Sequence, residues 1–222
     1  MNRELVVVDK PKSSASEAIR TLRTNLQFTF VDENIKSFMI TSSMPGEGKS
    51  FISANLAAAF GLIDFKVLIV DCDLRRGRLH NIFNVENKKG LSNLLLDDIK
   101  NYKKYITKTN VENVSLITGG IIPPNPSELL GSDKNKELFK ILKENYDLVI
   151  LDCPPVNGLT DSLVLTTLVD EVVLVSSVGK TPSELLNESK KSLEATGAKI
   201  AGVVVNNVEA KKNNYYYGKY YE

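Results

Sequence analysis

Ser42 to Phe51, reading Ser-Ser-Met-Pro-Gly-Glu-Gly-Lys-Ser-Phe, constrains this chain more than any other stretch. The apolar run Phe38-Met39-Ile40-Thr41 precedes it, and Ile52 to Phe60, small and apolar, follows it, so strand, glycine-rich loop and helix come in that order. The full P-loop pattern has Gly where Ser43 stands, yet the chemistry survives the exchange. Gly46 and Gly48 permit curvature that a Cβ resists, and the backbone N–H groups of Gly46, Glu47, Gly48, Lys49, Ser50 and Phe51 can then converge on phosphate oxygens. Pro45 has no N–H and can only shape the loop. Lys49 would neutralise the β- and γ-phosphates of ATP and the Ser50 hydroxyl would ligate Mg²⁺, with the positive end of the following helix beside them.

The 222 residues fit one α/β domain. Hydrophobic residues at 42% and charged residues at 25% are ordinary for a soluble globular chain, and no apolar run reaches the roughly 18 residues of a membrane span. The start, Met1 to Lys10, lacks the long apolar segment of a secretory signal, and a net charge of +1 gives no pull toward nucleic acid. Cys72 and Cys153 suit neither a disulfide framework nor a zinc site, which points to a reducing cytoplasm. His80 stands alone in a polar stretch and reads as a surface residue.

Residues 1 to 13 read as a short arm leading to a turn. Ser14-Ala15-Ser16-Glu17 has the spacing of a capping box, and helical period continues to Phe28. Glu17, Arg20 and Arg23 recur every third residue and so share about 120° of that helix surface. Lys66 to Val70 and Asp147 to Asp152 read as strands buried on both faces, with further strands over Val114 to Thr118, Glu171 to Ser177 and Lys199 to Asn206. Helices are expected from about Pro126, over Asp133 to Asn145, and from about Pro182 to Ala195, where Gly197 stops the last. This alternation predicts a doubly wound, mostly parallel sheet flanked by helices, a P-loop NTPase fold of the Walker A/A′/B type, over residues 1–209. Ligands of such sheets bind outside the carboxyl ends of the strands, where the P-loop, Asp71, Asp73 and Asp152 all fall.

Three carboxylates after apolar strands, near a phosphate cradle, need a purpose. Mg²⁺ takes one or two carboxylates with water and phosphate oxygens, so Ser50, Asp152, Asp71 and Asp73 are the candidate ligands. Of Asp71 and Asp73, one can complete the metal shell and the other can accept a proton from an attacking hydroxyl; the spacing does not say which. Residues 210–222 carry five of the eight tyrosines, Tyr215, Tyr216, Tyr217, Tyr220 and Tyr221, without aliphatic residues to bury, and read as a flexible tail.

Together these segments resemble the bacterial tyrosine kinases (BY-kinases), in the form whose cytoplasmic kinase is a separate polypeptide from its membrane activator. The resemblance spans the chain: Glu17-x-x-Arg20-x-x-Arg23, the P-loop, Val67 to Arg75 as Walker A′, Pro123-Pro-Asn-Pro-Ser-Glu-Leu-Leu130, Asp147 to Pro155 with the Walker B acid Asp152, and the tyrosine tail. It implies an ATP- and Mg²⁺-dependent protein-tyrosine kinase of capsule and exopolysaccharide synthesis that phosphorylates the tails of neighbouring copies. In that scheme Arg75 orders the A′ loop or contacts phosphate. Glu17, Arg20 and Arg23 join subunits in a ring, and a membrane-anchored activator of the polysaccharide co-polymerase type brings the kinase to the inner face of the membrane. Protein tyrosines are its substrates and a cognate phosphatase its counterpart, with no role for nucleic acid. Full tail phosphorylation would add roughly −7.5 to −10 of charge and should drive the tail from an acidic site. Asn206 and Asn207, ending the last strand, are the expected contacts to the adenine edge.

Partition and division-site ATPases share the P-loop and Walker B segments, so a nucleotide-switched assembly ATPase on DNA or membrane is the competing reading, and an inert nucleotide-binding regulator a third. Met44 stands where the assembly ATPases carry their signature lysine, which weighs against the former. Phe51 replaces a usual Ser or Thr and removes one phosphate ligand; Cys153 replaces a usual hydroxyl residue. Both cysteines lie beside catalytic acids, which predicts activity sensitive to oxidation.

Overall fold

The computed structural model describes residues 4–33 and 35–209. Its elements run α1 (Val6–Asp9), α2 (Ser14–Glu33), β1 (Ser37–Ser42), α3 (Lys49–Gly61), β2 (Val67–Asp71), α4 (Leu79–Ile82) and α5 (Leu91–Leu96). A 3₁₀ turn (Ile99–Tyr105) then leads to β3 (Thr107–Lys108), β4 (Val114–Ile117), α6 (Pro126–Leu130), α7 (Asp133–Asn145) and β5 (Leu148–Asp152). Last come α8 (Asp161–Leu165), a 3₁₀ turn (Thr166–Leu168), β6 (Glu171–Ser177), α9 (Ser183–Glu194) and β7 (Ile200–Asn206).

The seven strands form one sheet in the order β3-β4-β2-β5-β1-β6-β7, and every pairing is parallel except β3 with β4. The chain leaves β1 toward β2 and later fills the space between them with β5, while β6 and β7 lie on the other side. That reversal of winding places β1, and the loop after it, at the crevice of the sheet.

Alternation along the strands builds two cores. Phe38, Ile40, Val67, Ile69, Leu148, Ile150, Val173 and Val175 pack under α2 and α3. Met39, Leu68, Val70, Val149, Leu151, Val172 and Leu174 pack on the opposite face with α5 and α7. Continuous apolar runs are required because both faces are covered. The same parity assigns Asp71 and Asp152 to the α3 face and sends Cys72 and Cys153 to the other.

Two N-terminal expectations need correction. The arm over residues 1 to 13 contains α1, and Leu5 and Val7 are buried, with the Val7 N–H donating to Asn55 Oδ1 of α3 at 3.2 Å. The cap of α2 is Ser13 rather than Ser14: Ser13 Oγ accepts from the Ser16 N–H at 3.2 Å, and Ser13 O from the Glu17 N–H at 3.1 Å. Glu17 pairs with Arg20 instead of closing a capping box.

Candidate active site

Two left-handed glycines turn the loop, Gly46 at φ 77° and Gly48 at φ 96°. Gly48 has a second constraint, since a Cβ there would lie 2.1 Å from Asn206 Nδ2. The loop is also clasped from outside. Asn206 Nδ2 donates to Glu47 O at 2.9 Å, and Lys180 Nζ donates to Gly46 O at 3.0 Å. Glu47, chosen from sequence for its N–H, has a fully buried carboxylate that accepts from the Met44 N–H at 2.6 Å and from the Thr181 hydroxyl. Asn207 donates to Ser177 Oγ at 2.8 Å. Of the two asparagines expected at the adenine edge, Asn206 is thus tied to the P-loop and Asn207 to the end of β6, and neither lines the cleft described below.

Lys49 begins α3 and is 8% exposed. Its charge acts on Asp152, which is adjacent to Asp71 in parallel register, and both acids are fully buried. Asp152 Oδ1 accepts from Ser53 Oγ at 3.0 Å, and Asp71 Oδ2 accepts from the Leu79 N–H at 3.2 Å. Asp152 Oδ2 and Asp71 Oδ1 are buried with no hydrogen-bond partner. Burial, then repulsion from Asp152, holds the Asp71 carboxyl well above the usual carboxylate range. Burial also pushes Asp152 up to about 6, against hydrogen bonding from Ser50 and the positive charge of Lys49. Gly77 permits this packing, since a Cβ there would fall 2.5 Å from Asp71 Oδ2.

Two orphaned carboxylate oxygens beside a hydroxyl and an ammonium fit a divalent cation brought in by phosphate. No cluster of three or more His, Cys, Asp or Glu among the described residues forms a metal cage. Mg²⁺ takes few protein ligands, with substrate oxygens and water completing its shell.

In front of this floor lies a cleft of about 540 Å³ lined by Gly46, Gly48, Lys49, Ser50, Phe51 and, across from them, Asp73, Arg75, Arg76 and Arg78. Asp73 is half-buried, and its Oδ1 accepts from the Arg76 N–H at 2.9 Å. Arg75 Nε donates to Asp161 Oδ2 at 2.7 Å. The structure therefore divides the A′ acids: Asp71 is sealed in the floor, while Asp73 reaches the cleft.

Several contributors escape sequence reasoning. Ser53 could have been found, four residues after Lys49 on one face of α3. Asp161, Ser127 and Thr181 act across long separations that no local pattern signals. His80, expected at the surface, is half-buried with Nδ1 lacking a partner.

Of the expected subunit contacts, Glu17 and Arg20 pair on α2, while Arg23 Nη1 donates to Ala59 O of α3 at 3.2 Å and its Nε is buried without a partner. The five tail tyrosines lie outside the described residues. Cys72 and Cys153 are fully buried on the face opposite the acids, and burial raises both thiols, Cys153 well above its ordinary value. Buried, protonated thiols are inert, so the expected oxidation sensitivity has no support here. Among the described residues no helix is long and apolar enough to cross a membrane.

A phosphate-binding loop at the crevice of a parallel sheet, with a buried lysine acting on one of two paired acids, defines a P-loop nucleotide-binding domain. Residues 35–191 match the family described as AAA domain. The chain is 40% identical to the tyrosine-protein kinase YwqD of Bacillus subtilis, over 97% of this chain and 91% of YwqD. It superposes on the chimerical protein CapA2B2 with a TM-score of 0.89 at 42% identity, covering 93% of this chain and 91% of that one. The kinase domain of the Escherichia coli tyrosine kinase ETK gives 0.89 at 38% identity, covering 94% and 82%. The septum site-determining protein MinD of Pyrococcus horikoshii is more distant, at 0.67 and 27% over 80% and 72%. The chain belongs to the bacterial tyrosine-protein kinase family.

Proposed function

We propose that this chain transfers the γ-phosphoryl group of ATP to protein tyrosine, chiefly to Tyr215, Tyr216, Tyr217, Tyr220 and Tyr221 of neighbouring copies. What carries the reading is the match to YwqD over nearly the full length of both chains, which includes every element that lines the cleft. The P-loop N–H groups and Lys49 bind and neutralise the phosphates. Ser50, Asp152 and one of Asp71 and Asp73 would hold Mg²⁺, which when bound neutralises charge between the phosphates. A tyrosine hydroxyl has a pKa near 10, so as its oxygen bonds to phosphorus and ADP departs, its proton goes to the other A′ carboxylate. Asp73 has the access for that role and Asp71 the raised basicity, and the pH profiles of Asp73→Asn and Asp71→Asn assign it.

The resemblance further supports a ring of subunits joined through Glu17, Arg20 and Arg23. It also supports recruitment to the inner membrane face by an activator of the polysaccharide co-polymerase type, in control of capsular or exopolysaccharide synthesis. The likeness to the chimerical CapA2B2 is consistent with such an activator.

Intact and peptide mass spectrometry after incubation with Mg·ATP, alone and with an activator fragment, tests the reaction. Phosphate gained on the tail tyrosines, absent in Lys49→Met and in a variant with the five tyrosines changed to Phe, is the expected result. Steady phosphate release without protein modification would replace it with the assembly ATPase.

A further inference from the structure

The segment Pro123 to Leu130 is given no task by the chemistry above, yet the structure ties it to the cleft through one buried carboxylate. Asp161, at the start of α8, is fully buried. Its Oδ2 accepts from Arg75 Nε at 2.7 Å, and its Oδ1 accepts from Arg75 Nη2 at 3.2 Å and from the Ser127 hydroxyl. Ser127 Oγ is also 3.0 Å from Thr160 Oγ1. Three segments far apart in sequence, the A′ loop, α6 and α8, therefore converge on a single carboxylate.

We propose that Asp161 and Ser127 are positioning residues that hold Arg75 on the cleft wall as a ligand for the phosphoryl group in transit, an inference that rests on the kinase reading above. A two-pronged pairing with a carboxylate fixes the plane of a guanidinium as well as its place. With Nε and Nη2 engaged, Nη1 is the one guanidinium nitrogen of Arg75 without a partner among the described residues. The Arg75 side chain is 40% exposed and lines the cleft with Lys49, Ser50 and Asp73. Asp161 offsets much of the charge of Arg75, so its contribution is an aimed hydrogen bond rather than a general positive field. Its neighbours differ: Arg76 forms no ion pair among the described residues, and Arg78 pairs with Glu4 at an exposed site. Either would have to be ordered at the moment of reaction, whereas Arg75 already is. The carboxylate is suited to permanent ionisation, since burial raises it but hydrogen bonds from Arg75 and Ser127 outweigh that and leave it below the usual range.

The test uses the full chain and the initial rate of tyrosine phosphorylation against ATP concentration. Asp161→Asn, close in shape, is expected to lower kcat roughly 10- to 100-fold, the scale of a misplaced catalytic group, and to leave KM for ATP within about twofold. Arg75→Ala should lose at least as much, and the double variant Arg75→Ala/Asp161→Asn should be no worse than Arg75→Ala alone. A structural role for Asp161 would instead multiply the two losses. Wild-type kcat in Asp161→Asn, multiplicative losses, or a rise confined to KM each overturn the proposal. Should Asp161→Asn not fold, Arg75→Lys carries the test: it keeps the charge but not the fork, and an unchanged kcat refutes an aimed guanidinium. If wild-type protein itself gains no phosphate on tyrosine, the kinase reading fails first; activity in the wild type alongside indifferent variants removes only the positioning role.

Discussion

The floor and the wall of the cleft are built from neighbouring residues and obey opposite electrostatic rules. On the floor, Asp71 and Asp152 are sealed from water with an unpartnered oxygen each, and their mutual repulsion adds to the cost of burial. On the wall, Asp73 has a backbone donor, Arg75 has Asp161 and Arg78 has Glu4. The floor is held in an unfavourable state by the fold around it, as expected where a cation and phosphate are to complete the site. The wall's acid and its paired arginines are held by partners already in place, and it serves to present groups. One residue, Cys72, separates Asp71 from Asp73, and the end of β2 after Asp71 is what divides them.

The largest effect should come from the floor's one cation. Lys49→Met is expected to reduce tyrosine phosphorylation by about 10²- to 10³-fold or more, as measured by phosphate incorporation, because it removes charge stabilisation where charge develops. Equal activity in this variant would erase the distinction between a floor that does chemistry and one that only packs.

Next in size is a gain in stability from removing a floor charge. Below about pH 3 Asp152 is largely protonated whether the chain is folded or not. As pH rises toward about 6, the folded chain keeps a proton that the unfolded chain releases, so this group costs increasing stability and the full cost is present above pH 6. Asp152→Asn should therefore stabilise the protein without nucleotide or Mg²⁺ by about 1–3 kcal/mol at pH 7.5 and hardly at all at pH 3. Denaturant unfolding across that range, in chelator, reads the difference. An advantage independent of pH would mean that the floor carries no electrostatic strain.

The smallest effect belongs to the wall. Arg78→Ala breaks an ion pair whose side chains are 60% and 31% exposed and should change stability by no more than about 0.5–1 kcal/mol in a thermal melt. A larger loss would show that the wall, too, is under tension.

Much of this was legible in the chain itself. Residues such as Val67 to Val70 and Leu148 to Leu151 are apolar without interruption because parallel strands are covered on both faces, so strands, order of elements and fold class could be read locally. The P-loop was equally plain, since its glycines answer a local backbone demand. Short elements were not: α1, α4, α5 and β3 have from two to six residues each, too few to show a period. Nor could spacing show that the amides of Asn206 and Asn207 brace the P-loop and β6, or that Glu47 binds its own loop.

Sequence alone determined the doubly wound sheet, the phosphate cradle and the presence of three strand-end acids, because each follows from periodicity or from backbone geometry within a few residues. Only the tertiary structure decided how those acids divide, which arginine is fixed and by what. Asp71 meets Asp152 through the pairing of β2 with β5, and Arg75 meets Asp161, which Ser127 also holds, through the packing of α6 and α8. Burial, repulsion and ion pairing depend on distance in space, and chain separation carries no information about distance until the fold has closed.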